Sequence, residues 1–153
     1  AASDVYKRQV VDSNYNHDEQ VEALQNDFLA YAGTGDKHEV VDVDTSLLSG
    51  DDYNAVVKMT VVMGAGTADM MFCGEETYKK YKQQEAFLSW KEVLGDDYSK
   101  YEEYMTDDGR LDLEKCPNWE KYNMVYYSPV YAVVMSSSKN LENCIKFLEM
   151  MVQ

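Results

Sequence analysis

The chain has 153 residues, enough for one domain with a core of its own. It is 45% hydrophobic and carries 28 Asp plus Glu against 14 Lys plus Arg, a formal charge of −14. That balance excludes the classes whose affinity comes from clustered Lys and Arg, the nucleic-acid binders and the proteins held to anionic lipid by a basic patch. No run of 18 apolar residues occurs, so no membrane-spanning helix is visible.

The first nine residues, Ala1 to Gln9, do not read as a natural start. Asp4 to Gln9 back-translates as GAT GTG TAT AAG AGA CAG and Ala1 to Ser3 as GCA GCG TCA. Together they resemble a translated transposon-end sequencing adaptor. The expectation is that residues 1–9 are a non-native tail standing apart from the fold. Residues 10–153 then form a single α/β domain that has lost its own N-terminus, with any signal or membrane anchor missing from the fragment.

Val10-Val11-Asp12 reads as the end of a buried strand whose beginning was lost. Ser13 to Asn16 is a polar turn, with Asn16 as a helix cap. Val21, Leu24, Phe28 and Tyr31 recur at helical spacing behind an acidic first turn. Glu39 to Thr45 alternates, Val41 and Val43 to one side and Asp42 and Asp44 to the other, as a half-buried strand does. Ser49 to Asp52 fits a capping box, and Tyr53, Val56, Val57 and Val61 mark the stripe of the helix that follows. Ala68 to Cys73 is a short apolar strand, after which Glu75 and Glu76 open a helix through Tyr78 and Tyr81.

This β-α-β-α-β-α order implies helices on both faces of a mostly parallel sheet of three to five strands. The middle is less regular. Phe87, Leu88 and Trp90 lead to Gly95, and Asp96 to Met105 reads as a short helix. Asp107 to Gly109 is a turn, Arg110 to Glu114 a short strand, and Cys116 to Trp119 a loop. Tyr131 to Ser136 is a strand, and Leu141, Cys144, Ile145, Leu148 and Met151 or Val152 mark a final helix.

Few residues point to chemistry. His17 and His38 lie apart, and the spacing of Cys73, Cys116 and Cys144 matches no zinc or redox pattern. Cys144 and Cys73 read as core, although a Cys73–Cys116 disulfide is open. The acidic pairs Asp42 with Asp44, Glu75 with Glu76 and Asp107 with Asp108 read as a solvated face, with acid–base catalysis as the alternative. Gly64 to Thr67 precedes a strand rather than a helix and is no phosphate loop. Met59, Met63, Met70 and Met71 read as core filling. No catalytic residue, metal ligand or cofactor is expected. Thirteen Tyr and two Trp read first as amphipathic helix surface and core; the alternative is stacking on a sugar or peptide, with Trp119, Tyr126 and Tyr127 of most interest because they fall in loops.

Three patches carry a resemblance. They are Gly66-Thr67-Ala68-Asp69-Met70-Met71, then Gln84 to Leu94 around Trp90, and Ser136-Ser137-Ser138-Lys139-Asn140 leading into a helix with Phe147-Leu148. In order and spacing these resemble the extracytoplasmic solute-binding proteins that feed ABC transporters. That family has two lobes that close on the ligand, and the roughly fifty residues between the last two patches are too few for a second lobe. The chain is similar instead to short surface proteins of gut Firmicutes with a reduced, one-lobe version of the periplasmic-binding-like fold.

The resemblance implies a non-catalytic extracytoplasmic domain taking a small solute, sugar or peptide. It implies no nucleic acid, a membrane link only through the missing N-terminal anchor, and an ABC permease or another surface protein as partner. Ligands of open α/β sheets sit beyond the carboxyl ends of the strands. On that rule the candidate site residues are Asn14, Tyr15, Ser46, Gly74 and Glu75, with Trp119 or Tyr127 as the stacking ring. The alternatives are a cytoplasmic flavodoxin-like α/β domain and a partner-binding surface module.

Overall fold

The computed structural model describes residues 5–12, 17–45 and 53–153. The chain forms β1 (Val5–Val11), α1 (Asp18–Ala32), β2 (Glu39–Asp44), α2 (Tyr53–Ala65), β3 (Met70–Cys73) and α3 (Glu75–Lys82). Then come β4 (Phe87–Leu88), α4 (Trp90–Leu94), β5 (Leu111–Asp112), β6 (Tyr131–Met135) and α5 (Leu141–Val152). Single 3-10 turns fill much of the span between α4 and β6.

The sheet runs β2-β1-β3-β6-β4, with β5 also on β6. β1 pairs parallel with both β2 and β3. β6 pairs antiparallel with β3, β4 and β5. The sheet is therefore mixed rather than mostly parallel. Parallel neighbours need a full crossover, usually a helix, and between β4 and β6 the longest α-helix is the five-residue α4. The later strands return without one and pair antiparallel.

β4 and β5 are two pieces of one strand position. Phe87 and Leu88 face Met135 and Val134, and Leu111 and Asp112 continue the register against Ala132 and Tyr131. Residues 89–110 leave the sheet and return between them. Trp90 N–H donates to the Gly109 carbonyl at 2.9 Å, closing the excursion at its neck. The Trp90 indole is wholly buried and donates to the Ala132 carbonyl at 2.9 Å.

The two early crossovers travel in opposite directions from β1, so they lie on opposite faces. On one face Leu24 and Phe28 of α1 and Phe147 and Leu148 of α5 pack with Val11, Val43, Met70 and Phe72. Phe28 meets Phe147 edge-on, ring centres 5.8 Å apart. On the other face Ala55, Met59 and Val62 of α2 and Tyr78 and Tyr81 of α3 pack with Val10, Met71 and Cys73.

Several expectations change. Residues 5–9 do not stand apart from the fold, because Val5–Val11 is the strand between β2 and β3. Lys7 and Gln9 are buried there, and Lys7 Nζ lies 3.0 Å from Glu39 Oε2. The α2 stripe is a different one. Tyr53, Val57 and Val61 face outward, while Ala55, Met59 and Val62 are inside. This helix is apolar nearly all round, so spacing alone does not choose its buried face. Cys73, Cys116 and Cys144 are all buried and free, so no Cys73–Cys116 disulfide forms. Trp119 opens a 3-10 turn, Trp119–Tyr122, rather than lying in a loop. Asp96 to Met105 forms 3-10 turns in place of the short helix. Ser13 to Asn16 and the capping box at Ser49 to Asp52 lie outside the described residues.

Two of the patches singled out in the sequence meet in space. Asp69, buried just before β3, accepts from Ser138 Oγ at 2.8 Å and from Asn143 Nδ2 at 3.4 Å. A side chain at Gly66 would come within 2.9 Å of the Ser137 carbonyl, so glycine is what lets the turn after β6 lie on the end of α2. Burial pushes the Asp69 carboxyl above its ordinary range, against the Ser138 and Asn143 hydrogen bonds. This junction sits at the amino end of β3 and ties helices to the sheet.

Candidate functional site

The carboxyl end of β3 faces the other way. The chain runs from β1 out to β2 and back across to β3, so β1 and β3 diverge at a topological switch point, where open α/β sheets hold ligands. Asp12 follows β1, and Gly74 follows β3 as the cap of α3. The Asp12 N–H donates to the Phe72 carbonyl at 2.8 Å, and the Thr77 hydroxyl donates to Asp12 Oδ2.

A wall from residues 126–129 closes the other side and leaves an open groove of about 310 Å³. The Tyr127 hydroxyl donates to the Phe72 carbonyl at 3.2 Å, and its ring lies on Gly74. A Cβ at residue 74 would sit 3.2 Å from Tyr127 Cδ2, so the missing side chain sets how close the ring comes. Tyr126 stands at 78° to Tyr127, ring centres 5.7 Å apart, and is 74% exposed. Burial pushes the Tyr127 phenol well above its ordinary value, so it stays protonated.

Behind the groove, Arg110 binds the α3 entrance to the sheet. Its guanidinium lies over the rings of Tyr78 and Tyr131, at 4.5 Å and 4.6 Å. It donates to Glu75 Oε2 at 2.8 Å and to Asp108 Oδ1 at 2.9 Å. The Tyr131 hydroxyl also donates to Glu75 Oε2, at 2.9 Å. That hydrogen bond is the largest influence holding the Glu75 carboxyl below its ordinary range; burial opposes it, and Arg110 adds to it. Tyr131 is pushed up to about 12, by burial first and then by Glu75. Glu75 is thus a fixed anion, already partnered.

Gly74, Glu75 and Tyr127 come together in this groove. Asn14, Tyr15 and Ser46 lie outside the described residues. Trp119 does not join the groove. It is 2% exposed, packed edge-on against Phe72 at 5.7 Å within the core, and offers no face to a ligand. Sequence reading missed Asp12, Glu76, Thr77, Ser128 and Pro129 in the lining, and Arg110 behind it. Asp12 was within reach of the strand-end rule, because the strand expected to end with it ends one residue earlier, at Val11. Arg110 gave no signal of its place behind the groove, because Glu75 and Tyr131, which hold it there, lie 35 and 21 residues away along the chain.

The acidic pairs are not simply a solvated face. Arg8 bridges Asp42 and Asp44, and Arg110 bridges Glu75 and Asp108. Among the described residues, no group of three or more His, Cys, Asp or Glu side chains is arranged to hold a metal ion. A shallower depression of about 370 Å³ lies between α1 and the end of α5. There Tyr122 donates to Asp27 at 2.6 Å and Asn118 to the Met150 carbonyl at 2.8 Å, so its polar groups are engaged with one another. The groove at the switch point, with an uncovered ring and strand-end backbone, is the better candidate.

Comparison of the chain with protein-family models, with curated proteins and with solved structures finds no match.

Proposed function

We propose that this chain is a non-catalytic, solute-binding-like α/β domain of the bacterial surface, a single lobe that holds a small solute in the switch-point groove. The observation that carries the reading is the groove itself: Tyr126 and Tyr127 standing over the ends of β1 and β3, with Gly74 admitting the second ring. Rings with wet edges suit a small solute that stacks on one face and hydrogen-bonds at its rim. The meeting of the Asp69 and Ser138 patches supports the same reading, because it gives those two stretches a shared structural task.

A single lobe leaves its ligand open on one side, so binding is weak and exchange fast. Delivery to an ABC permease or to a neighbouring surface protein is the partner interaction this reading implies.

The test is a calorimetric and NMR screen of small sugars, short peptides and charged solutes against the intact chain. The expected result is saturable binding by at least one solute that shifts the Tyr126 and Tyr127 ring signals and is lost in Tyr126→Ala. Tyr126 is exposed, so this variant keeps the fold. If no solute moves those rings, the groove is not a ligand seat.

A further inference from the structure

We infer that the groove takes an organic cation: the ammonium head of a small solute, set against the Tyr126 and Tyr127 rings in a lining that includes Asp12 and Glu76. The inference rests on the groove being the ligand seat and narrows the class of solute. It starts from the charge of the walls. The described lining residues are Asp12, Gly74, Glu75, Glu76, Thr77 and residues 126–129. Three are carboxylates and none is Lys, Arg or His.

Glu75 is engaged by Arg110 and Tyr131. Asp12 accepts from the Thr77 hydroxyl. Glu76 is exposed at the rim. The start of α3 would by itself favour an anion, but Glu75 and Glu76 fill its first turn and reverse that preference. An anionic ligand is thus opposed by the walls. A neutral polyol finds acceptors and hydroxyls but no amide or guanidinium donors among the described lining side chains.

The rings complete the case. An aromatic face attracts a cation within about 6 Å of its centre, and paired rings beside carboxylates are how proteins hold ammonium groups. Tyr126 and Tyr127 stand nearly perpendicular, and most of Tyr126 is uncovered. The molecule's charge of −14 also raises the local concentration of cations before they dock.

The experiment is an NMR titration of the intact chain, reading the tyrosine ring signals, with three probes. Tetramethylammonium carries the charge, tert-butanol is an uncharged globe of similar size, and glucose is a neutral polyol. Tetramethylammonium is expected to shift the Tyr126 and Tyr127 signals saturably, at least tenfold more tightly than tert-butanol. Tyr126→Leu and Glu76→Gln, both at exposed positions, are each expected to weaken it by about threefold or more.

If tert-butanol binds as well as tetramethylammonium, charge plays no part and the inference falls. If glucose shifts the rings and tetramethylammonium does not, the inference falls while the solute-binding reading stands. If none of the three probes moves the rings, the cation inference falls, and the wider solute screen decides whether the groove is a seat at all.

Discussion

Gln9 fits its surroundings poorly. It lies within β1, 1% exposed, between Val43 on β2 and Met70 on β3. Neither its amide oxygen nor its amide nitrogen has a hydrogen-bond partner. A buried amide left unsatisfied costs about 1–3 kcal/mol. Two positions earlier on the same face, Lys7 shows the alternative, a buried polar group with an ionic partner in Glu39. Position 9 is therefore occupied by a side chain its slot does not require. Gln9→Met keeps the length, removes the orphaned groups and adds apolar contact. It is expected to raise stability by about 1–2 kcal/mol. Urea unfolding would show a higher midpoint with unchanged slope. A lower midpoint would mean that the amide has partners in solution.

At the scale of elements, legibility followed how far a pattern depends on its own residues. β2 and α3 were readable because Val41 and Val43, and Tyr78 and Tyr81, sit at the period of one element and are buried on one face. α2 was readable as a helix but not in its orientation, because its apolar residues encircle it. The broken strand β4–β5 was not readable as one unit, since a pair of two-residue pieces has no period and becomes a strand only against β6.

What joins those pieces is local. Gly109 has φ of +81°, and a Cβ there would lie 2.0 Å from Ser89 Oγ, the atom that accepts from Lys91 N–H at the start of α4. Gly109→Ala must strain the backbone and displace Ser89, loosening the neck where Trp90 N–H reaches the Gly109 carbonyl. It is expected to cost about 2–3 kcal/mol. Hydrogen exchange is expected to rise first in residues 89–110, before the β1–β3 core. Unchanged protection there would show that the neck does not hold the excursion in place.

The groove was half legible at the scale of the whole molecule, because strand order alone pointed to the end of the sheet where it lies. The groove's outer wall comes from residues 126–129, over fifty positions after β3, and only the tertiary path brings them there. The same path makes the response to acid a property of the assembled molecule. Hydrogen bonds from Thr34, the largest influence, and then from Lys7 hold Glu39 at about 2, against an ordinary value of 4.5. Asp108 is also held at about 2, because the Thr106 and Arg110 bonds outweigh the burial that would raise it.

A carboxyl lowered by folding contributes stability above its unfolded value and loses it as pH falls towards its folded value. Glu39 and Asp108 therefore withdraw support between about pH 4.5 and pH 2. Asp69 has the opposite sign, since burial raises it and its protonation favours the fold. Protonation also relieves the repulsion of a molecule at −14, so the wild-type curve mixes several effects. The difference between two chains isolates one of them. Glu39→Gln is expected to be less stable than wild type at neutral pH, to lose less as pH falls through that window, and to converge on wild type near pH 2. Urea midpoints across the range would show this; two curves parallel throughout would remove the Glu39 cluster from the acid response.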